Sequence, residues 1–165
     1  MLNSYTNKLK MESSPRKRKE LNKKIQEIRD EFSLRGDFNL KLSIARAFSK
    51  LDHFYFPHNF DFRGRVYPIP PHFNHIGNDL VRGLLLFGKG KKIGSHGLRW
   101  LKIHTANLMG KDKAPIDDKL AFIDENLNKI HQIADSPLVY REWLEYEDCW
   151  QAVGSIIDLS TALRQ

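Results

Sequence analysis

The sequence of 165 residues predicts a mainly α protein with a small β element, an α+β arrangement. Two observations carry this expectation. Apolar residues recur three and four apart over most of the chain, the period of one helix face. Between positions 53 and 70 that period stops. Rings and β-branched residues there are bounded by Pro57, Asn59, Gly64 and Pro68, the pattern of short strands around a turn. Hydrophobic residues make up 41% and charged residues 28%, which fits a soluble globular domain. The longest apolar stretch, Leu84–Phe87, falls far below the roughly 18 residues that a membrane span needs.

The elements follow in order. Residues 1–14 show no clear period and are left unassigned, with disorder expected. Ser13-Ser14-Pro15 offers a helix start, because proline's missing N–H costs nothing in a first turn. Leu21, Ile25, Ile28 and Phe32 then mark one face of a helix that Gly36 is expected to end. A second run, Phe38, Leu42, Ala45, Phe48 and Leu51, follows Asp37 as its N-cap. After the strand segment and a His/Asn/Pro loop, Asn78 or Asp79 is placed to cap a helix over 79–87. Gly88-Lys89-Gly90-Lys91-Lys92 breaks the chain. Helices are then expected from Ser95 to about Met109, stopped by Gly110, and over 116–134. A short helix over 142–146 and a longer one over 150–163 complete the set.

Net charge is +7, and its distribution is informative. Residues 1–50 hold 13 basic and 6 acidic side chains, residues 51–110 hold 8 and 3, and residues 111–165 hold 6 and 11. A basic body of this kind suits a polyanionic partner, and equally an ordinary solvated surface. The single cysteine, Cys149, excludes an internal disulfide and a cysteine-based metal site. The N-terminal residues lack the apolar core of a secretory signal and are poor in arginine for a mitochondrial transit peptide.

The richest stretch is residues 54–79. Its centre is Asp61-Phe62-Arg63-Gly64-Arg65, followed by Val66-Tyr67-Pro68. Rings can stack on bases, guanidinium forks can grip phosphate, and glycine lets backbone come close. Read as a strand, Arg63 and Arg65 share one face with Asp61 beside them. Asp61 would then orient a guanidinium, as structural support. The plainer alternative is a surface ion pair, worth about 0–1 kcal/mol.

Further short motifs follow in order: Pro71-His72-Phe73-Asn74-His75-Ile76-Gly77-Asn78-Asp79, then Arg82-Gly83-Leu84-Leu85, Gly90-Lys91-Lys92-Ile93-Gly94 and Gly97-Leu98-Arg99-Trp100-Leu101-Lys102-Ile103-His104. Ser136-Pro137-Leu138 and Trp150-Gln151 close the series. This succession resembles the single-subunit, phage-type DNA-directed RNA polymerases, in particular their mitochondrial branch. The likeness extends over about residues 38–160, is looser over 15–37, and is absent before that. It implies a partial palm of a right-hand polymerase preceded by a thumb-type helix. Residues 15–52 would be the thumb end and thumb–palm connection, and 53–165 the N-terminal part of the palm. It also implies nucleic-acid contacts at Gly64, Arg65, Tyr67 and Arg82, beside the RNA–DNA hybrid and the template; Arg63 joins them as the second guanidinium of the fork read from the strand. The partners implied are a DNA template, nascent RNA and ribonucleoside triphosphates, with transcription factors possible, and the compartment is the mitochondrial matrix.

The family's catalytic Mg ions are held by aspartates in an Asp-Gly-x-x-x-Gly-x-x-His and a His-Asp-Ser context. Neither occurs in these 165 residues, so those ligands are expected beyond Gln165. No catalytic or metal-binding residue is assigned, and the 165 residues alone are expected not to polymerise nucleotides. His53, His58, His72 and His75 lack the partners a zinc site needs. Gly88–Lys92 does not have the spacing of a P-loop. Trp100, Trp143 and Trp150 are expected in the core, and Cys149 as a small buried hydrophobe. Two other readings stay open: a free-standing basic nucleic-acid-binding module without catalysis, and the product of an incomplete gene. A continuation of the gene past Gln165 into the first aspartate motif would separate them.

Overall fold

A computed structural model describes residues 2–164. They fall into two compact units that divide at Lys50/Leu51, two residues before the boundary expected from the sequence.

The first unit holds two helices, α1 (Leu2–Met11) and α2 (Pro15–Phe48). Helix α1 occupies a stretch where the sequence shows no clear period. Local bonds hold it: the Thr6 hydroxyl donates to the Leu2 carbonyl at 3.0 Å, and Arg18 reaches back from α2 to the Glu12 carbonyl at 3.1 Å. Helix α2 starts at Pro15, as the proline suggests, with Ser14 extended before it. It then runs unbroken through Gly36 and Asp37, where the sequence predicts a stop and a new cap. A glycine inside a helix costs only about 1 kcal/mol against alanine. Pairs one turn apart help to carry α2 through: Arg16–Glu20, Lys23–Glu27, Glu31–Arg35 and Asp37–Lys41. Asp37 therefore braces the helix interior instead of capping a start. Ile25 is the one buried residue of α2, and Leu21 and Ile28 beside it are half-buried. Phe32, on the same predicted stripe, is exposed.

The second unit is helical apart from one antiparallel two-stranded ribbon, β1 (His58–Phe60) with β2 (Val66–Pro68), in the register Asn59 opposite Tyr67. The mainly α expectation with a small β element is the observed architecture. Helices α3 (Asp79–Leu84), α4 (Gly94–Ala106), α5 (Ile116–Glu125), α6 (Leu127–Asp135) and α7 (Cys149–Leu163) follow. Helix α4 closes in a widened turn over 107–111, with Gly110 at φ +86°, a left-handed position that glycine fills without strain. The expected single helix over 116–134 breaks at Asn126. Its side-chain amide donates to the Phe122 carbonyl at 2.7 Å, and its backbone leaves the helical region. The expected helix over 79–87 ends at Leu84, because Leu85 turns extended.

Helix α7 is the centre of this unit. Ala152, Ile156 and Leu159 are fully buried, with Ile156 and Leu159 among Ala106, Met109, Ile123, Ile130, Ile133 and Trp143. Burying each large side chain is worth about 1.5–3 kcal/mol. Two polar contacts fix its neighbours: Thr105 of α4 to Ser155 at 2.8 Å, and His131 of α6 to Ser160 at 2.8 Å. Of the three tryptophans only Trp143 is deeply buried; its indole N–H donates to the Pro137 carbonyl at 2.8 Å. Trp100 is 49% exposed, with its indole N–H donating to His96 at 3.3 Å, one turn earlier. Cys149 is half-buried; burial and then the neighbouring Asp79 carboxylate push its thiol pKa up. Among the described residues no helix is long and apolar enough to cross a membrane.

Candidate nucleic-acid interface

The Asp-x-x-Gly-Arg element is the tip of the ribbon. Residues 61–65 form the loop, so Arg63 and Arg65 sit in a turn, where strand alternation does not apply. The Gly64 N–H donates to the Asp61 carbonyl at 3.0 Å, and the Asp61 N–H to the Arg65 carbonyl at 3.0 Å. Gly64 stands at φ +76°. This is a tight turn followed by a glycine bulge, one of the commoner three-residue hairpin loops. The sequence provides for each part: Asp at the first turn position, Gly at the fourth.

Asp61 turns its carboxylate inward on the turn's backbone. Its Oδ1 accepts the N–H of Arg63 at 2.8 Å and of Arg65 at 2.9 Å. Among the described residues no ion pair joins Asp61 to either guanidinium, so the side-chain pairing read from the sequence is replaced by a backbone clamp. The physical reason is reach. A short aspartate at a turn's start meets the amides two and four residues on before it meets a long arginine. Both arginines remain exposed. Arg63 lies over the Phe62 ring at 5.2 Å from its centroid, a cation–π contact.

Both faces of the ribbon are open to solvent. Phe60 and Val66 pair on one face; Tyr67, opposite Asn59, lies on the other. Phe62 at the tip is 93% exposed. A lone two-stranded ribbon is marginal in water, so its base must be held. The Ile69 N–H donates to the Pro57 carbonyl at 2.9 Å. Phe56 and His58 both meet the ring of His75, at centroid distances of 5.7 and 5.3 Å. The loop carrying His75 is pinned by buried Asn74, whose amide donates to the Pro70 carbonyl at 2.6 Å and whose oxygen accepts the Ile76 N–H at 3.0 Å. The sequence did not single out Asn74. An Asn three residues before Gly in a Pro-rich loop is the signal that could have found it.

The structure thus brings Arg63, Gly64, Arg65 and Tyr67 together on one ribbon. Arg82 lies apart, exposed on α3; among the described residues no hydrogen bond or ion pair links it to the ribbon. Gly83 beside it has a packing role, since a Cβ there would meet the Trp150 backbone at 2.9 Å. Of the two residues expected to cap α3, Asn78 stands at the N-cap without a side-chain bond, and Asp79 caps α7. Its two oxygens accept the N–H groups of Trp150 and Gln151 at 2.8 and 2.9 Å. The arrangement can present two cations and several rings to a polyanion. Among the described residues no three His, Cys, Asp or Glu side chains gather as a metal cage.

Comparison with known proteins gives this geometry a context. The sequence model of the DNA-dependent RNA polymerase family matches residues 91–165. The chain is 51% identical over 132 residues to a mitochondrial DNA-directed RNA polymerase of Neurospora crassa. It is 52% identical over 135 residues to the chloroplastic/mitochondrial DNA-directed RNA polymerase 2 of Arabidopsis thaliana, and 48% identical over 148 residues to that plant's mitochondrial polymerase 1. The chain is related to the single-subunit DNA-dependent RNA polymerases. These alignments take in 79%, 80% and 88% of the chain but only 9%, 13% and 15% of the respective relatives. The chain therefore spans about a tenth to a seventh of those polymerases.

Proposed function

We propose that the chain is part of an organellar DNA-directed RNA polymerase, the portion that meets the RNA–DNA hybrid and the template. Residues 15–52 form the thumb end and thumb–palm connection, and 53–165 the early palm. The observation that carries the reading is identity near 50% to organellar polymerases over 79–88% of the chain. The hairpin supports it physically: a turn clamped by Asp61 carries two exposed arginines, neither in an ion pair among the described residues, with Arg63 over the exposed Phe62 ring. In this reading Arg63, Gly64, Arg65, Tyr67 and Arg82 hold nucleic acid, and Asp61 holds the turn. The substrates of the whole enzyme are a DNA template and ribonucleoside triphosphates, and its compartment is the mitochondrial matrix. Catalysis in the whole enzyme is metal-dependent, with Mg held by carboxylates other than those described; no step through a metal is derived from this chain.

The test is Arg65→Ala in the complete polymerase. Losing one charge-assisted phosphate contact costs about 1.5–3 kcal/mol, about ten- to a hundredfold in affinity. The salt slope of binding falls by about one unit. Arg65→Lys restores only part, because an ammonium lacks the planar fork. Elongation-complex lifetime is measured across salt concentrations, together with thermal stability. A shortened lifetime at unchanged stability supports the assignment. An unchanged lifetime at every salt removes Arg65 from the interface.

A further inference from the structure

A second cationic surface lies away from the hairpin tip, in the linker from α3 to α4. Residues 85–93 carry Leu86, Phe87, Lys89, Lys91 and Lys92. Phe87 is 98% exposed and Leu86 85%. The three lysines are exposed, and no ion pair among the described residues neutralises any of them. Gly88 and Gly90 between them give the turn no side-chain bulk. The turn returns toward the segment ahead of the ribbon: a Cβ on Gly88 would sit 3.9 Å from the His53 Cβ. His53 in turn stands edge-on to Tyr55, ring centroids 5.5 Å apart. Tyr55 is 83% exposed.

We propose that the turn 86–92, with Tyr55 near it, is a binding surface for a single nucleic-acid strand, separate from the hairpin contacts. The inference rests on the reading above that this unit meets nucleic acid. Lysines act as point charges for successive phosphates, and the open Phe87 and Tyr55 rings offer base-stacking platforms. Cations interleaved with solvent-exposed rings are the pattern that holds a strand without reading its sequence. A flat anionic lipid surface fits less well. Three lysines contribute only about 1 kcal/mol each near such a surface, and a lipid surface gives the open Phe87 and Tyr55 rings no base to stack on. Arg82, on the helix that leads into the turn, extends the basic track.

The experiment is fluorescence anisotropy of a labelled 12-nucleotide oligouridylate with the 165-residue chain, from 50 to 300 mM salt. In Lys89→Gln/Lys91→Gln/Lys92→Gln the slope of log K against log salt should fall by about 2 units, at about 0.7 per lost phosphate contact. Phe87→Ala should weaken binding at least about fivefold at fixed salt and leave the slope unchanged. All four positions are exposed, and a circular dichroism spectrum matching the parent checks that each variant folds. An unchanged slope in the triple variant overturns the proposal. Should Arg63→Gln/Arg65→Gln weaken binding in that same experiment, the hairpin reading survives the loss. Absence of oligouridylate binding by the unaltered chain also overturns the proposal, as does lysine-dependent binding to phosphatidylserine vesicles without binding to the strand.

Discussion

Two glycines show how differently one residue type can be required. Gly64 has nothing within 4 Å of where a Cβ would stand, but its φ is +76°. Gly83 has a Cβ position only 2.9 Å from the Trp150 carbonyl group. The first requirement is conformational and the second steric. Gly64→Ala is expected to cost about 1–2 kcal/mol of hairpin stability through left-handed strain alone. Gly64→Asn should recover much of that loss, since Asn tolerates the region. Gly83→Ala should act elsewhere, by pushing α3 off α7, at about 1–3 kcal/mol for an overpacked contact. Hydrogen exchange separates them: Gly64→Ala should speed exchange of the turn amides at positions 61 and 63–65 only, and Gly83→Ala those of α7's first turn. Global loss of protection in Gly64→Ala would show that the turn is not an independent unit.

At the scale of elements, most helical periods are legible, as are the Pro15 start and the Gly110 stop, while the signals at Gly36, Asp37 and Asp79 mislead. The helical run over 116–134 and the longer helix over 150–163 can be read because apolar spacing survives packing. Gly36 and Asp37 carry a stop-and-start signal that a 34-residue helix overrides with ion pairs. Asp79 sits at a helix start in sequence, yet it serves a helix 70 residues away, a partnership that no local pattern records. The site shows the same division. The sequence reads as short strands around a turn, which the ribbon is, but it places Asp61–Arg65 on a strand where the chain makes the turn, because the Asp–Gly spacing serves a binding pattern equally well. Asp79→Ala is expected to cost about 0.5–2 kcal/mol, the usual worth of a helix N-cap. Asp79→Asn should cost less, since one amide oxygen still accepts. Thermal unfolding reads both, and equal losses would mean that the charge, not the cap, is what matters. A second tie joins α6 to the residue after α7: Arg164 grips Asp135 through both nitrogens at 2.7 and 2.9 Å. That bond holds the Asp135 carboxyl below the usual carboxylate range. A depressed folded pKa gives stability that is present above the unfolded value of about 3.9 and lost as pH falls through the folded one. Arg164→Ala should therefore flatten part of the acid limb below about pH 4 and leave its shape at pH 7 unchanged. An acid limb identical to the parent's would remove the pair from the stability balance.

For the molecule as a whole, net charge is unevenly shared, while apolar exposure is not. Residues 1–50 carry the entire formal net charge of +7, since residues 51–165 hold 14 basic and 14 acidic side chains. Both units expose large apolar side chains: Met11, Phe32 and Leu34 in the first, and Phe60, Phe62, Leu86, Phe87, Leu138, Val139 and Leu144 in the neutral second. Leu138, Val139 and Leu144 are close in sequence around the short helical turn at 142–145, and Leu138 is 75% exposed. Exposed apolar side chains on a unit near zero charge favour association. The chain on its own is expected to self-associate at tens of micromolar. There is a rival cause, because residues 51–110 are net +5 and residues 111–165 net −5, and such halves attract. Salt separates the two. At 1 M the Debye length is about 3 Å, and attraction between exposed charges is largely screened. Apolar burial is not weakened by that screening. Sedimentation velocity from 0.1 to 1 M NaCl should show association that persists or grows, and Leu138→Lys/Val139→Ser should reduce it at every salt. Dissolution of the oligomer at high salt would assign it to the charged halves. A monomer at all concentrations, with a sharp reversible thermal transition, would show that these apolar groups are tolerated as they stand.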